Sequence, residues 1–489
     1  MSIGKKIVTS AITAVIVWAG ATSYISSATE NALENYLEKI DGVYTNNGMK
    51  IRLLSFEKGF LHSYAKMEVD FIDPSMRKSV SQFITLPIIS NYKIENGPLL
   101  FDKELSFGAS RMSNHTNISK MFIDKKSLKE FVKEPIVLNS TMKIGFNKTA
   151  TYRGKINANE VTNFEGDTFK VSPIIIDSIV DVESLKSNFK LFIKQIEGSL
   201  KDNRGGSKLE NITFKGELTK IFENGFYLGN FNFFIEKVNL KNKNFPFELK
   251  EAQTSIGIDI RENINKNIDF KIDFHLSKGK SDFPVELDVI KKLSLSYGIT
   301  GATLEGMMAF QNSIKEQQRQ QAEVMKYLST ASSVAEQMLA MQQLQTIQLS
   351  MEKNMRLNFI KLIDKNTILF ITSEIFDNRS KKSMVEAKVS YVGDLPLPST
   401  LEAFNQKVRK ELLNLIKVDI DATLQETLTT QLPENIQSQL QMAVATGMIS
   451  HKNDNYLFNL RYFPRKLTVN GVDKPAMLSL VEMAIEQGK

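Results

Sequence analysis

The sequence predicts an α+β protein, and three observations carry this prediction. An uncharged N-terminal run predicts a transmembrane helix. A long middle region in which apolar and polar residues alternate predicts a large, mainly antiparallel twisted β-sheet. Near residue 304 the composition shifts to Gln, Met, Ala, Glu and Leu, which predicts a helical insertion followed by a helical C-terminal part.

The N-terminal run covers residues 7–25, between Lys6 and the next charge at Glu30. As a helix it would rise about 28 Å, close to the thickness of bilayer hydrocarbon. The lysine pair before it places that end in the cytoplasm. A cleaved signal peptide is the alternative, because residues 19–21 match a small-x-small processing site. The predicted membrane-anchor residues are Ile7, Val8, Ile12, Val15, Ile16, Val17, Trp18, Tyr24 and Ile25.

These patterns divide the chain into six parts. The predicted order is a cytoplasmic tip at residues 1–6, a transmembrane helix at 7–25, a helical stem at 26–45, a β-rich periplasmic domain at 46–303, a Gln/Met-rich helical segment at 304–358, and a mixed α/β part at 359–489 that packs on the β-domain. In the stem, Leu33, Leu37 and Ile40 recur at helical spacing.

The β-rich part contains both strand and turn signals. Residues 268–276 alternate strictly between apolar and polar side chains, which predicts a strand with one buried face. Gly59, Gly97 and Pro98 are predicted structural turns, because glycine permits close backbone approach and proline fixes the turn after it. The pattern leaves open whether the apolar face of the sheet is a filled core or an open groove.

Two helical regions follow. The Met-rich stripe within residues 304–358 is interpreted as a core face, with an adaptable binding surface as the alternative. After a predicted strand over residues 385–392, Ser399 is predicted to cap a helix. Helical sequence is then predicted to continue to about Thr446.

Composition excludes several classes of chemistry. The chain has no cysteine, so it can form no disulfide, thiolate nucleophile or iron–sulfur cluster. The net charge of +7 is spread over 489 residues without a dense basic block, which argues against a nucleic-acid partner. The four histidines lie far apart in the sequence, and no catalytic motif is present. No catalytic, cofactor-binding or metal-binding residue is predicted, and no cofactor is expected.

Four segments carry a resemblance to a known family: Val17-Trp18-Ala19-Gly20, residues 55–63 with Phe56, Gly59 and Ser63, Asn96-Gly97-Pro98-Leu99, and the ending formed by residues 466–471 and 479–483. They resemble the YdgA-like family of bacterial envelope proteins, which is described by a domain of unknown function. That family usually has His at the position of Asn96. The resemblance implies a single-pass inner-membrane protein with its bulk in the periplasm, and it carries over no catalytic residue.

The predicted function is therefore that of a non-enzymatic envelope protein anchored in the inner membrane. It acts as a scaffold or binds a lipid or another apolar ligand, with the inner membrane and a lipid as its partners. The first alternative is an interaction module that forms a homo-oligomer through its helical segments. The second alternative is an envelope hydrolase.

Overall fold

The computed structural model describes residues 3–46, 48–81, 84–101, 105–123, 132–162, 166–201, 205–222, 224–242, 248–281, 289–330, 333–365, 367–398, 400–431 and 433–486. In the first helix, no side chain before Ala21 is described. The chain divides into two compact units. Unit 1 contains Met1–Asp202 and Thr213–Gly229, and unit 2 contains Asn203–Ile212 and Asn230–Lys489.

Unit 1 begins with one long helix and continues mainly as strands. Its elements are α1 (Ile3–Asn46), β1 (Met49–Glu57), β2 (His62–Phe71), α2 (Pro74–Ser81), β3 (Ile88–Asn96), β4 (Leu99–Leu100), β5 (Ser106–Phe107), β6 (Ser110–Asn117), a 3-10 turn (Ile118–Met121), β7 (Val137–Ile144), β8 (Thr149–Ile156), β9 (Asn159–Thr162), β10 (Thr168–Val171), β11 (Ile174–Asp181) and β12 (Ser187–Ser199).

The strands of unit 1 form an antiparallel sheet. Its spatial order is β1-β2-β3-β6-β7-β8-β11-β12-β10-β9, and β4 and β5 pair separately. Most neighbours in space are also neighbours in sequence, which is typical of an antiparallel meander with short connections.

Helix α1 packs on one face of this sheet, against β1 and β3. The main core cluster of unit 1 joins three residues of α1 to three of the sheet: Leu33, Leu37, Ile40, Ala65, Ile94 and Met112. Because the three helical positions lie four and three residues apart, they share one face of the helix. Burial of each such leucine or isoleucine stabilises the unit by about 1.5–3 kcal/mol.

The N-terminal helix does not match the predicted membrane span. Among the described residues, no helix is long and apolar enough to cross a membrane. The predicted fold class, α+β with a transmembrane helix over residues 7–25, is therefore wrong about the transmembrane helix. Within unit 1, Thr22 is fully buried, and the hydroxyl of buried Ser26 lies 3.1 Å from that of Ser63. Threonine, serine and glycine lower the hydropathy of the uncharged run, and its end packs against protein.

Two strands, β13 (Gly205–Ile221) and β14 (Tyr227–Asn242), contain the boundaries between the units. The remaining elements belong to unit 2. They are β15 (Leu249–Glu262), β16 (Ile268–Ser277), β17 (Ile290–Ala302), α3 (Leu304–Thr330), α4 (Val334–Leu362), β18 (Ile368–Asp377), β19 (Lys382–Tyr391), α5 (Leu401–Leu415), β20 (Ile416–Gln425), α6 (Glu426–Thr429), α7 (Glu434–Ala445), β21 (Ser450–Lys452), β22 (Asn455–Phe463), β23 (Lys466–Val469), β24 (Val472–Asp473) and α8 (Pro475–Glu486).

The unit 2 sheet is also antiparallel. Its spatial order is β15-β16-β17-β18-β19-β20-β22-β23-β24, with β21 paired to β22. Strand β16 coincides with the strictly alternating segment of the sequence. Strand β20 corrects the helix predicted to continue to about Thr446. Its residues Ile416, Val418 and Ile420 alternate with polar neighbours, and this period of two prevails over the helical propensity of the surrounding sequence.

Helices α3 and α4 pack along each other in unit 2. The break between them is specified locally, because Ser333 and Glu336 form a reciprocal capping box at the start of α4. At the other end of the pair, the side-chain amide of Asn358 donates to the carbonyl of Ala309 at 3.3 Å. Ser399, the predicted cap of α5, lies outside the described residues, and the cap of that helix is Thr400.

Candidate ligand-binding face of unit 2

One face of the unit 2 sheet carries three rows of side chains that cross strands β15 to β22. The rows are Ile260, Phe270, Ile299, Leu369, Val389, Val418 and Tyr462; Ile258, Ile272, Tyr297, Ile371, Ala387, Ile420 and Leu460; and Ile256, Phe274, Leu295, Ser373, Val385, Ala422 and Phe458. We call this surface the apolar sheet face. It contains no charged side chain, and its seven strands span about 29 Å.

The centre of the apolar sheet face is open to solvent. Ile371 is 47% exposed and Tyr297, its direct cross-strand neighbour, is 43% exposed. Leu369, Val385 and Val389 on the same and the next strand are exposed as well. Single exposed apolar residues are ordinary, but neighbouring ones on adjacent strands form a patch of the kind that marks a binding surface.

Helices pack on parts of this face. On β17, Ile299 and Ala302 form a core cluster with Leu362, and Met307 and Phe310 of α3 pack against it. At the β22 end, Tyr462 is buried and its hydroxyl donates to the carbonyl of Leu413 in α5. Burial raises the pKa of Tyr462, which keeps the hydroxyl protonated as a donor. In the row that joins Ile299 and Tyr462, the exposed residues Leu369 and Val389 therefore lie between two covered positions.

The opposite face of the same strands carries polar side chains that pair with one another across strands. The ammonium of Lys271 lies 3.0 Å from a carboxylate oxygen of Asp273, and the hydroxyl of Ser296 donates to the same carboxylate. His275 Nδ1 lies 2.9 Å from the hydroxyl of Ser294. These cross-strand pairs form a ladder along the sheet, and their groups are committed to each other.

The acidic residue at the end of β18 is held by hydrogen bonds. The side chain of Asp377 accepts from the hydroxyl of Thr427 at 2.7 Å and from the backbone N–H groups of Lys381 at 2.8 Å and Arg379 at 2.9 Å. Burial acts to raise the pKa of Asp377, but these hydrogen bonds outweigh it and hold that pKa below its usual value. The carboxylate therefore fixes the turn between β18 and β19.

The predicted structural turns lie together in unit 1, where the structure joins two segments that are distant in sequence. The side-chain amide of buried Asn96 donates to the carbonyls of Gly59 at 2.9 Å and Phe60 at 3.1 Å. A Cβ atom on Gly59 would lie 2.0 Å from the carbonyl oxygen of His62. A Cβ atom on Gly97 would lie 1.9 Å from the carbonyl oxygen of Gly108. The backbone N–H of Gly108 donates to the carbonyl of Pro98 at 3.2 Å.

The predicted anchor residues fall into two groups. The side chains of Ile7, Val8, Ile12, Val15, Ile16, Val17 and Trp18 lie outside the described part of α1. Of the remaining two, Tyr24 is 75% exposed, whereas Ile25 is buried in unit 1. Neighbouring residues of one helix thus have opposite environments, which follows from its one packed face.

The sequence did not single out Tyr297, Leu369, Ile371 or Val389 as site residues. Their signal was the alternation of the strands that carry them, which shows that one face is apolar but not that it is open. The described residues contain no group of three or more His, Asp and Glu side chains that could hold a metal ion. The geometry of unit 2 is that of an exposed apolar surface with paired polar side chains on the opposite face of the strands.

Comparison with known proteins places the chain in a family. The sequence profile of a family described as "Bacterial protein of unknown function (DUF945)" matches residues 5–476. The chain belongs to this family. No curated protein and no solved structure matches it. Membership covers both units, and the family description assigns no activity to either of them.

Proposed function

We propose that the protein is a non-enzymatic binding protein of the bacterial envelope that holds the acyl chain of a lipid on its apolar sheet face. The observation that carries the proposal is the open centre of that face, where Tyr297, Leu369, Ile371, Val385 and Val389 are exposed on three adjacent strands.

The chemistry of this face favours an apolar ligand. Its three rows contain no charge, so covering them costs no desolvation of an ion. Each square ångström of apolar surface removed from water stabilises a complex by about 25 cal/mol before the cost of association. A flexible acyl chain suits an open surface of this kind, because it can follow the exposed rows of apolar side chains.

The envelope location rests on different support. The resemblance of residues 55–63 and 96–99 to YdgA-like envelope proteins favours it, and a chain without cysteine is compatible with an oxidising compartment. Protease treatment of spheroplasts tests it. Degradation of the protein from outside supports an extracytoplasmic position, and protection until lysis contradicts it.

Mass spectrometry of lipids extracted from the purified full-length protein tests the binding function. We expect acylated lipid in the wild-type preparation and loss of most of it in Ile371→Glu, because the charge would be desolvated under an acyl chain. The matched control is Thr372→Glu, on the polar face of the same strand. A wild-type protein that carries no lipid and takes up none from added fatty acid contradicts the proposal, as does equal loss in both variants.

One observation favours a second function, self-association through α4. Val334, Met338 and Met341 lie at helical spacing on this helix and are 73%, 65% and 59% exposed. Methionine side chains adapt to many partner surfaces. Light scattering of the full chain tests this: a mass above one chain that falls in Met338→Glu but not in Gln342→Glu supports it, and a single-chain mass for the wild type contradicts it.

A further inference from the structure

A groove of about 870 Å³ lies in unit 1 on the sheet face opposite α1. The residues that pack with α1, such as Ala65 and Ile94, alternate along their strands with Lys66 and Lys93, which line the groove. Because successive side chains of a strand point to opposite faces, the groove is separated from the core of the unit. We call it the cationic groove.

The charges of the cationic groove lie at its two ends. Lys66 on β2 and Lys93 on β3 line one end, and Arg153 and Lys155 on β8 line the other. In the sheet order β2-β3-β6-β7-β8, three strand spacings separate β3 from β8 and four separate β2 from β8, which correspond to about 14 Å and about 19 Å. Glu57 is the one carboxylate among the described lining residues.

The strands between the two ends present uncharged hydrogen-bonding groups. Ser113 and His115 of β6 and Asn139 and Thr141 of β7 line this middle part. The ring of His115 lies 2.7 Å from the amide oxygen of Asn139 through Nδ1. Hydroxyl, amide and imidazole groups on one surface can both donate and accept, which suits a ligand rich in hydroxyl groups.

Outside the groove, arginine side chains on the same sheet face form ion pairs with carboxylates. Arg52 contacts Glu68, and Arg111 lies 3.4 Å from Glu95. Inside the groove, Lys66 and Lys155 form no ion pair with any carboxylate of the described residues. Arg153 binds Asp177 through Nε at 2.9 Å, a contact that leaves its two terminal nitrogens outside that hydrogen bond. Among the described residues, Lys66 and Lys155 thus give the groove positive charge that no carboxylate pairs with.

We infer that the cationic groove binds a hydroxyl-rich ligand with an anionic group at each end, and that the anionic groups are phosphates on a sugar, as in a bis-phosphorylated disaccharide. Lysine and arginine at both ends match two phosphates, and the uncharged middle matches the sugar hydroxyls. The volume is within the range of small-ligand pockets. A nucleic acid fits less well, because Tyr64 and His115 are the only exposed aromatic rings among the described lining residues and successive bases need stacking platforms. This inference uses unit 1 residues alone and is independent of the proposed lipid function.

Calorimetric titration of the full-length protein with a synthetic bis-phosphorylated disaccharide tests the inference. We expect binding that weakens about tenfold for the mono-phosphorylated sugar and disappears for the unphosphorylated one. We expect Lys155→Gln and Lys66→Gln each to weaken binding about fivefold, the effect of losing one charged contact in a water-exposed groove. The matched control is Lys194→Gln, an exposed lysine on β12 outside the groove, which should leave the affinity unchanged.

Further titrations distinguish a lipid headgroup from a free sugar phosphate as the ligand. The same headgroup with acyl chains, offered in micelles, should bind with the same dependence on Lys66 and Lys155. Binding of the acylated form alone, unaffected by either substitution, overturns the inference. So does equal affinity for inorganic phosphate, equal affinity for the unphosphorylated sugar, tighter binding of single-stranded DNA, or an equal effect of Lys194→Gln. Unchanged thermal unfolding of the variants establishes that any loss of affinity is local.

Discussion

The two units use the same antiparallel alternation with opposite results. In unit 1, the apolar face of the sheet is covered by Leu33, Leu37 and Ile40 of α1, and the uncovered face is the polar one with the cationic groove. In unit 2, the described helices pack on the apolar face near Ile299 and Tyr462, and Ile371 at its centre is open. Alternation therefore specifies two unlike faces, and the packing of helices decides which of them remains available for a ligand.

The largest expected effect concerns two glycines, one with another backbone segment close to it and one without. Gly97→Ala in unit 1 should lower the free energy of unfolding by about 3 kcal/mol or more, because its Cβ would lie 1.9 Å from the carbonyl oxygen of Gly108. Gly447→Ala in unit 2, which meets no atom within 4 Å, should cost about 1 kcal/mol through its positive φ alone. Chemical denaturation of the full chain measures both, and equal costs would contradict the tight approach at Gly97.

The next prediction compares the covered apolar face of unit 1 with the open apolar face of unit 2. Leu37→Ala should lower the free energy of unfolding by about 3 kcal/mol, because it leaves a cavity between α1 and the sheet. Ile371→Ala on the open face should cost less than about 1 kcal/mol, since half of that side chain is already in water. Hydrogen exchange of amides within each unit measures the two costs separately. If Ile371→Ala proved as costly as Leu37→Ala, the face of unit 2 would be a filled core.

The smallest effect concerns pH. Because hydrogen bonds hold the folded-state pKa of Asp377 below its unfolded value, its carboxylate contributes stability at pH values above the unfolded pKa. That stability should be lost as the pH falls through the folded pKa. Asp377→Asn should cost about 1 kcal/mol at pH 7 and progressively less in acid. Thermal unfolding between pH 7 and pH 2.5 measures the difference, and a gap that stays constant with pH would refute the role of the charge.

Much of the sheet could be predicted from the sequence, because local patterns determine strands. The alternation of residues 268–276 predicts β16, whereas the alternation over 416–420 is short and lies beside strong helix formers, which predict a helix there. The predicted membrane span is wrong for a related reason. Lack of charge predicts affinity for lipid, yet Thr22 and Ser26 are polar and pack against protein. A sequence pattern does not identify the surface that will cover it.

The candidate sites were less accessible to sequence reasoning. The cationic groove depends on register, which brings Lys66 and Lys155 to one surface although 89 positions separate their numbers. The turn residues Gly59, Gly97 and Pro98 were found because glycine and proline mark unusual backbone, but the role of Asn96 in joining them required the fold. The exposure of Ile371 depends on which elements pack over it, and this follows from the fold and not from the sequence pattern.

The most direct test of the central claim uses the fact that the chain contains no cysteine. A cysteine introduced as Ile371→Cys, or as Thr372→Cys on the polar face of the same strand, can carry one environment-sensitive fluorophore. Titration of the labelled full-length protein with a fatty acid should shift the emission at position 371 to shorter wavelength, with saturation, and leave position 372 unchanged. No shift at 371, or the same shift at both positions, would contradict the claim that the apolar sheet face binds acyl chains.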